Sequence, residues 1–120
     1  MEKPDIMTIH QNIENKIKNL NKCSFLLKDR SEQRAATATE YEKQLSITIL
    51  KLKNNSITEF DGQIINNPPA PMLDKIAKGI CWKYKLEMEK AESSYKNLLV
   101  GIDITKTEIN ALQSLLKYVD

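Results

Sequence analysis

The stretch CWKYKLEMEKAESSYKNLLVGIDITKTEINALQSLL, residues 81–116, decides the fold that we expect. Its apolar residues recur at alternating spacings of four and three, the pattern of a helix that packs along one face. This pattern, which we call the seam, continues for about six heptads, more than a coiled coil requires, and predicts a helix over residues 71–119. The seam comprises Ala77, Cys81, Tyr84, Met88, Ala91, Tyr95, Leu98, Ile102, Thr105, Ile109, Leu112, Leu116 and Val119.

Further apolar residues widen the seam, at Ile76, Ile80, Leu99 and Leu115. A stripe of this width suits a helical bundle better than a two-stranded coil, so the chain is predicted to form a homodimer. The oligomer contact is assigned to Met88, Tyr95, Leu98, Ile102, Ile109, Leu112 and Leu116. The alternative is a monomer whose first helix breaks and folds back to cover the stripe.

The first helix is predicted over residues 5–54, because apolar residues form two stripes in matching register there. Between the stripes, residues 31–38 place small and polar residues at the packing positions. The helix either continues through this segment or breaks near Ser31. Continuity is favoured, because the segment contains neither glycine nor proline.

Residues 55–70 are predicted to form a small tip between the two helices. Asp61-Gly62 tolerates the positive φ angles of a tight turn, so residues 57–65 predict a β-hairpin. The segment from Asn67 to Pro71 contains three prolines, which favour an extended connector before the second helix. The expected fold is therefore all-α: a long antiparallel helical hairpin, coiled-coil-like, with a β-hairpin and proline-rich tip.

The composition fits one folded domain over residues 1–120, with 41% hydrophobic and 28% charged residues. The N-terminal residues MEKPDIMTIHQ lack the apolar core of a secretory leader, and no apolar run approaches the length of a membrane span. We therefore expect a cytoplasmic protein with no membrane partner. Its two cysteines, Cys23 and Cys81, are expected to be reduced thiols.

The sequence favours a protein that is not an enzyme, with no catalytic residues, no metal and no cofactor. Its single histidine, His10, has no neighbouring metal ligands, and Cys81 occupies a packing position. The Glu-x-x-His motif of di-metal helical bundles, phosphate-binding glycine loops and hydrolase motifs do not occur in the sequence.

One basic cluster is a candidate partner-binding surface. An antiparallel hairpin brings the end of the first helix beside the start of the second. Trp82 would then lie among the lysines Lys51, Lys53, Lys75, Lys78, Lys83 and Lys85. Three interpretations remain open: an anchor for an acidic protein, a site that stacks and neutralises nucleic acid, or a tryptophan packed on Phe60 and Ile64 among solvated lysines.

The run SITILKLKNNSITEFDGQIINNPPAPMLDKIAKGICWKYKLEMEKAESSYKNL, together with the ending INALQSLLKYVD, resembles small helical proteins encoded by phages and prophages of low-GC Gram-positive bacteria. The likeness lies in the order of helix, Asp-Gly hairpin, Asn-Pro-Pro connector and helix, over roughly residues 40–120. It implies a viral protein in the cytoplasm of a bacterial host, and it carries no functional residues over.

The leading hypothesis is therefore a phage-type protein that binds a host or phage protein. We expect it to inhibit host defence, in the manner of anti-CRISPR proteins, or to inhibit a host nuclease. Nucleic acid is a less favoured partner. The alternative is an accessory protein for recombination or replication on single-stranded DNA. The third hypothesis is a structural coiled-coil component.

Overall fold

A computed structural model describes residues 5–119, and of Val119 only the backbone. The elements follow in the order α1 (Ile6–Lys53), β1 (Glu59–Phe60), β2 (Gln63–Ile64), α2 (Ala70–Ile80) and α3 (Trp82–Val119). The predicted all-α class with one small antiparallel sheet is confirmed. The side chain of Val119, which was assigned to the seam, lies outside the described residues.

Helix α1 runs without a break through residues 31–38, where an interruption was the open alternative. Asp5 caps its N-terminus, because one carboxylate oxygen accepts a hydrogen bond from the Met7 backbone N–H at 3.2 Å. Polar side chains in the middle of α1 form hydrogen bonds within the helix itself. The hydroxyls of Thr37 and Thr39 donate to backbone carbonyls one turn earlier. The helix continues through this segment, because the segment contains no glycine or proline that would end it.

A left-handed residue ends α1. Asn55 has a φ of 55°, and the backbone N–H of Ser56 donates to the Lys51 carbonyl at 2.8 Å. The N–H of Asn55 donates to the Leu52 carbonyl at 3.3 Å. These two bonds form a Schellman motif, which satisfies carbonyls that the end of a helix leaves without partners.

The hairpin is shorter than the predicted span of residues 57–65, with Glu59 opposite Ile64 and Phe60 opposite Gln63. Its two-residue turn has the expected geometry, because Asp61 and Gly62 have φ angles of 51° and 78°. Residues that face each other across the strands point to the same side of the sheet. Phe60 and Gln63 therefore share one face, and Glu59 and Ile64 share the other.

The second half of the chain contains two helices where the sequence predicted one helix over residues 71–119. Helix α2 ends at Ile80 and α3 begins at Trp82. Cys81 lies between them with φ −86° and ψ 18°. Its N–H donates to the Ala77 carbonyl at 2.9 Å, while its carbonyl accepts from both Tyr84 and Lys85. The chain therefore bends at Cys81 while helical hydrogen bonds continue on both sides.

The described residues group into two compact units, and the single domain over residues 1–120 stays a prediction. Unit 1 contains the described residues up to Ser31 and from Ser93 onward. Unit 2 contains Glu32–Glu92. One boundary falls at the start of the segment 31–38, where the sequence lacks large apolar residues at the packing positions.

Unit 1 is an antiparallel pair of helical segments from α1 and α3. Lys16 forms a 2.7 Å ion pair with Glu108, and the Arg30 guanidinium donates to the Ser94 carbonyl at 3.1 Å. The core contains Ile9, Ile13 and Ile109. Leu20, Leu112 and Leu116 pack against these residues. The seam of α3 is thus occupied by α1 of the same chain within this unit.

Unit 2 packs the end of α1 against α2 and the hairpin segment. Its core contains Leu52, Leu73 and Ala77. Around them pack partly buried residues, namely Leu45, Ile49, Ile57, Ile65, Ile76 and Ile80. Each of the three structural elements therefore contributes apolar side chains to one core, which provides the support that an isolated hairpin lacks.

Two glycine substitutions are expected to change stability in opposite directions. Gly62→Ala should lower the free energy of unfolding by about 1–2 kcal/mol, because its φ of 78° strains a residue with a Cβ atom. Gly101→Ala should raise it by about 0.5–1 kcal/mol, since Gly101 is helical and a Cβ there meets no atom within 4 Å. Urea unfolding of both variants measures the changes. A stabilising Gly62→Ala would contradict the assigned turn, and a destabilising Gly101→Ala would contradict an open helical site at Gly101.

Within residues 5–119, no helix combines the length and the apolar character needed to cross a membrane.

Candidate functional site

Trp82 is the most exposed aromatic side chain of the predicted basic cluster. Its neighbour Cys81 points inward, with its sulfur 3.3 Å from the Thr48 hydroxyl in the buried interior of unit 2. One residue further along a helix the direction changes by about 100°, so Trp82 projects outward. Its side chain is 51% exposed. Leu86, one turn later on the same face of α3, is also exposed.

A positively charged side chain lies next to Trp82. The Lys83 ammonium lies 5.6 Å from the centre of the indole ring, within the distance of a cation–π interaction. We call Trp82, Lys83 and Leu86 the Trp82 surface. It joins an exposed aromatic group, an exposed aliphatic group and a cation within one and a half turns of α3.

Trp82 does not pack on Ile64, so the interpretation that places it against Phe60 and Ile64 does not describe the structure. Ile64 is 86% exposed, so it cannot cover the indole ring. The other face of the hairpin, with Phe60 and Ile65, is turned towards Ile76 and Gly79 of α2. The hairpin therefore packs on α2 and leaves Trp82 uncovered.

The remaining lysines of the predicted cluster lie on three elements. Lys51 and Lys53 occupy the last turn of α1, Lys75 lies on α2 and Lys85 on α3, and all four are exposed. Lys78 of α2 differs, because its ammonium lies 2.9 Å from a carboxylate oxygen of Asp74. The hydrogen bond and the negative charge of Asp74 raise the pKa of Lys78. Lys78 therefore contributes less net positive charge to this surface than the sequence suggested.

The sequence prediction missed an apolar groove between the hairpin and α2. Phe60, Ile65, Ile76 and Gly79 line it, with Asp61 and Gln63 at its edge. The groove has a volume of about 310 Å³. A Cβ atom at Gly79 would meet no atom within 4 Å, so the missing side chain leaves the groove open. We call this cavity, together with the residues that line it, the hairpin groove.

The hairpin groove lies close to the Trp82 surface along the chain, since Gly79 comes one helical turn before Trp82. The signal that could have located it was a glycine inside a helical segment, which costs stability unless packing or access requires it. The hairpin end of unit 2 thus offers an open apolar groove, an exposed indole ring and several exposed lysines.

His10 and Cys81, for which the sequence predicted no chemical role, lie in different environments. His10 is exposed on α1, and Cys81 is buried against Thr48. Among the described residues, no three histidine, cysteine or acidic side chains come close enough together to hold a metal ion.

The seam residues assigned to an oligomer contact are partly or fully buried within the single chain. Leu98 and Ile109 are buried. The others are partly buried, namely Met88, Tyr95, Ile102, Leu112 and Leu116. Ile109, Leu112 and Leu116 pack against α1 of the same chain, and the assignment of these residues to an oligomer contact stays a prediction.

Comparisons with protein-family models, with curated proteins and with solved structures found no match to this chain.

Proposed function

We propose that this chain is a non-enzymatic protein that binds another protein through the Trp82 surface and the hairpin groove. The observation that carries the proposal is Trp82, which is 51% exposed and follows, by three residues, Gly79 in the lining of an open apolar groove of about 310 Å³. Tryptophan is among the residues that contribute most binding energy at protein interfaces when a partner excludes water from it.

The charges around this surface favour a partner with an acidic contact face. Lys75, Lys83 and Lys85 are exposed, and opposite charges across an interface accelerate association and select partners. An aliphatic or aromatic side chain of the partner fits the hairpin groove, because Phe60, Ile65 and Ile76 line it. The expected contact therefore combines one apolar anchor in the groove with acidic residues around it.

The resemblance to phage proteins extends this proposal to a biological role. A phage protein of this kind would bind a host protein in the bacterial cytoplasm, and we propose a component of a defence complex or a nuclease, inhibited by occupation of its surface. Homodimer formation is a separate proposal, because it involves a different part of α3.

Single-stranded DNA is the competing partner, and two observations count against it. The Lys83 ammonium lies over the indole ring, where a base would stack. The lining of the hairpin groove combines Phe60, Ile65 and Ile76 with the acidic Asp61, which suits a protein side chain better than a sugar-phosphate backbone.

Quantitative capture from a lysate of a low-GC Gram-positive bacterium tests the proposal. Four baits are compared: the wild-type chain, Trp82→Ala, Gly79→Leu and Phe25→Ala. Gly79→Leu adds a side chain to the lining of the groove, at a position where a Cβ atom meets no atom within 4 Å. Phe25 is an exposed aromatic residue of unit 1 that serves as the matched control. The expected result is a protein retained by the wild type and by Phe25→Ala, and lost by the other two.

The captured protein is then purified and its affinity is measured. Trp82→Ala should weaken the dissociation constant by about 30-fold or more, the effect of losing an interface anchor. Equal binding of all four baits would reject this surface. Quenching of Trp82 fluorescence by oligothymidylate, with an affinity that falls steeply with salt, would replace the protein partner with single-stranded DNA.

A further inference from the structure

A second apolar surface lies on unit 1, along an exposed side of α3 that borders α1 near Leu115. Val100, Ile104, Leu115 and Tyr118 are all exposed there, and Tyr118 is 90% exposed. Leu115 is one of the residues that widen the seam, and the other three do not belong to it. The buried seam residues Leu98 and Ile109 lie on the opposite side of the same helix.

The exposed residues form one continuous stripe along α3. With about 100° of rotation per residue, its members fall within roughly 80° of one another around the helix axis. We call this set the outer stripe, and it comprises Val100, Ile104, Thr107, Ala111, Leu115 and Tyr118. From Val100 to Tyr118 it is about 27 Å long at 1.5 Å per residue.

The outer stripe is nearly symmetric about its midpoint at Ile109. Val100 and Tyr118 lie nine residues on either side, Thr107 and Ala111 lie two on either side, and Ile104 and Leu115 match within one residue. Two copies of α3 that cross antiparallel at residue 109 therefore place large side chains opposite large ones. The small residues meet at the crossing, where the helices approach most closely.

We propose that the outer stripe is the contact surface of a homodimer with two-fold symmetry. An isologous dimer requires a surface that complements itself, because each residue contacts the copy of its own counterpart. A symmetric order of large and small residues meets this requirement, and a contact with an unrelated protein does not demand it. The inference uses residues other than those of the proposed function.

Two depressions beside the stripe could receive side chains of the second copy. One has a volume of about 300 Å³ and is lined by Val100, Ile104 and Thr107, at the level where Tyr118 of the second copy arrives. The other, of about 360 Å³, lies between α3 and α1, at the level of Ile104 of the second copy. It is lined by Ala111, Leu112 and Leu115 together with Glu108 and, from α1, Asn12 and Lys16. The Thr107 hydroxyl donates to the Asp103 carbonyl at 3.0 Å, so it needs no partner across the contact.

The charges along one edge of the stripe match in the antiparallel arrangement. Asp103 and Lys117 lie on the same side of the stripe, about 60° and 100° around the helix from Val100. In the dimer, Asp103 of one copy lies within two residues of the level of Lys117 of the other. On the opposite edge the two Glu108 side chains approach each other, and each is already paired with Lys16 at 2.7 Å.

Sedimentation equilibrium of the full chain tests the dimer. The wild type should sediment as a dimer at micromolar concentration. Ile104→Lys should raise the dimer dissociation constant by roughly 100-fold or more, because the symmetric contact buries two uncompensated charges. Phe25→Lys, on α1, is the control and should leave the dissociation constant unchanged. Circular dichroism establishes that each variant remains helical.

A charge exchange tests the orientation of the two helices. Asp103→Lys and Lys117→Asp should each weaken the dimer, and the double variant should restore it. A monomeric wild type at 100 µM or above, roughly the range in which weak dimers form, would overturn the proposal and leave the stripe to another partner. A dimer that resists Ile104→Lys would overturn it as well, whatever happens to binding at the Trp82 surface.

Discussion

Leu52→Ala is expected to lower the free energy of unfolding by about 2–5 kcal/mol, the typical range when a fully buried leucine is truncated in a core. Leu52 is 1% exposed. It lies in the core where α1, α2 and the hairpin meet. Its removal leaves a cavity, and the surrounding residues Leu73 and Ala77 cannot close it without moving the elements that carry them.

Leu50→Ala is the matched control on the same helix, because Leu50 is 59% exposed. Its effect on the free energy of unfolding should stay within about 0.5 kcal/mol. Urea unfolding, followed by circular dichroism at one protein concentration, compares both variants with the wild type. If Leu50→Ala were the more destabilising change, the orientation of α1 in unit 2 would be wrong.

Ile109→Ala is expected to destabilise unit 1 by about 2–4 kcal/mol, through the loss of burial and the cavity that remains. Ile109 is buried with Ile9 and Ile13 between the two helical segments. Alanine is a better helix former than isoleucine, which offsets part of the loss by a few tenths of a kcal/mol.

Ile17→Ala is the control for this change, since Ile17 is exposed on α1 of the same unit. Its effect on stability should be within about 0.5 kcal/mol. Amide hydrogen exchange, measured for residues 6–31 and 93–119, reports the loss of protection directly. A large effect of Ile17→Ala together with a negligible effect of Ile109→Ala would mean that another face of α3 packs on α1.

The local features of the fold could be predicted from the sequence. Asp61-Gly62 forms the turn because few other residue pairs adopt positive φ at both positions. Helix α1 could be followed through residues 31–38 because nothing in that segment breaks a helix. In both cases the property depends on neighbouring residues along the chain, which the sequence displays directly.

The sequence could not predict which element of the chain, or which other molecule, packs against each apolar surface. The width of the seam was interpreted as a need for a second copy in addition to α1. Helix α1 packs on Ile109, Leu112 and Leu116, and the dimer stays a prediction. The bend at Cys81 was also missed, since the apolar spacing passes through it unchanged. Its contact with Thr48, 33 residues away, is long-range and leaves no local signal.

The candidate site was predicted in part. Trp82 and Lys83 are in contact, while the ion pair of Lys78 with Asp74 was not anticipated. The hairpin groove depends on how the hairpin docks on α2, and only the position of Gly79 pointed towards it. The sequence thus selected Trp82 and its lysines but left the exposure of Trp82 open, and the fold added its exposure and the hairpin groove.

The central claim is that Trp82 is left uncovered on a positively charged surface, ready for a partner. Because Trp82 is the single tryptophan of the chain, its fluorescence reports on this surface alone. At equal ionic strength, iodide should quench the emission more strongly than caesium, since the neighbouring lysines attract the anion. Lys83→Gln should reduce that difference. Blue-shifted emission that neither ion quenches would show a buried indole and would contradict the account.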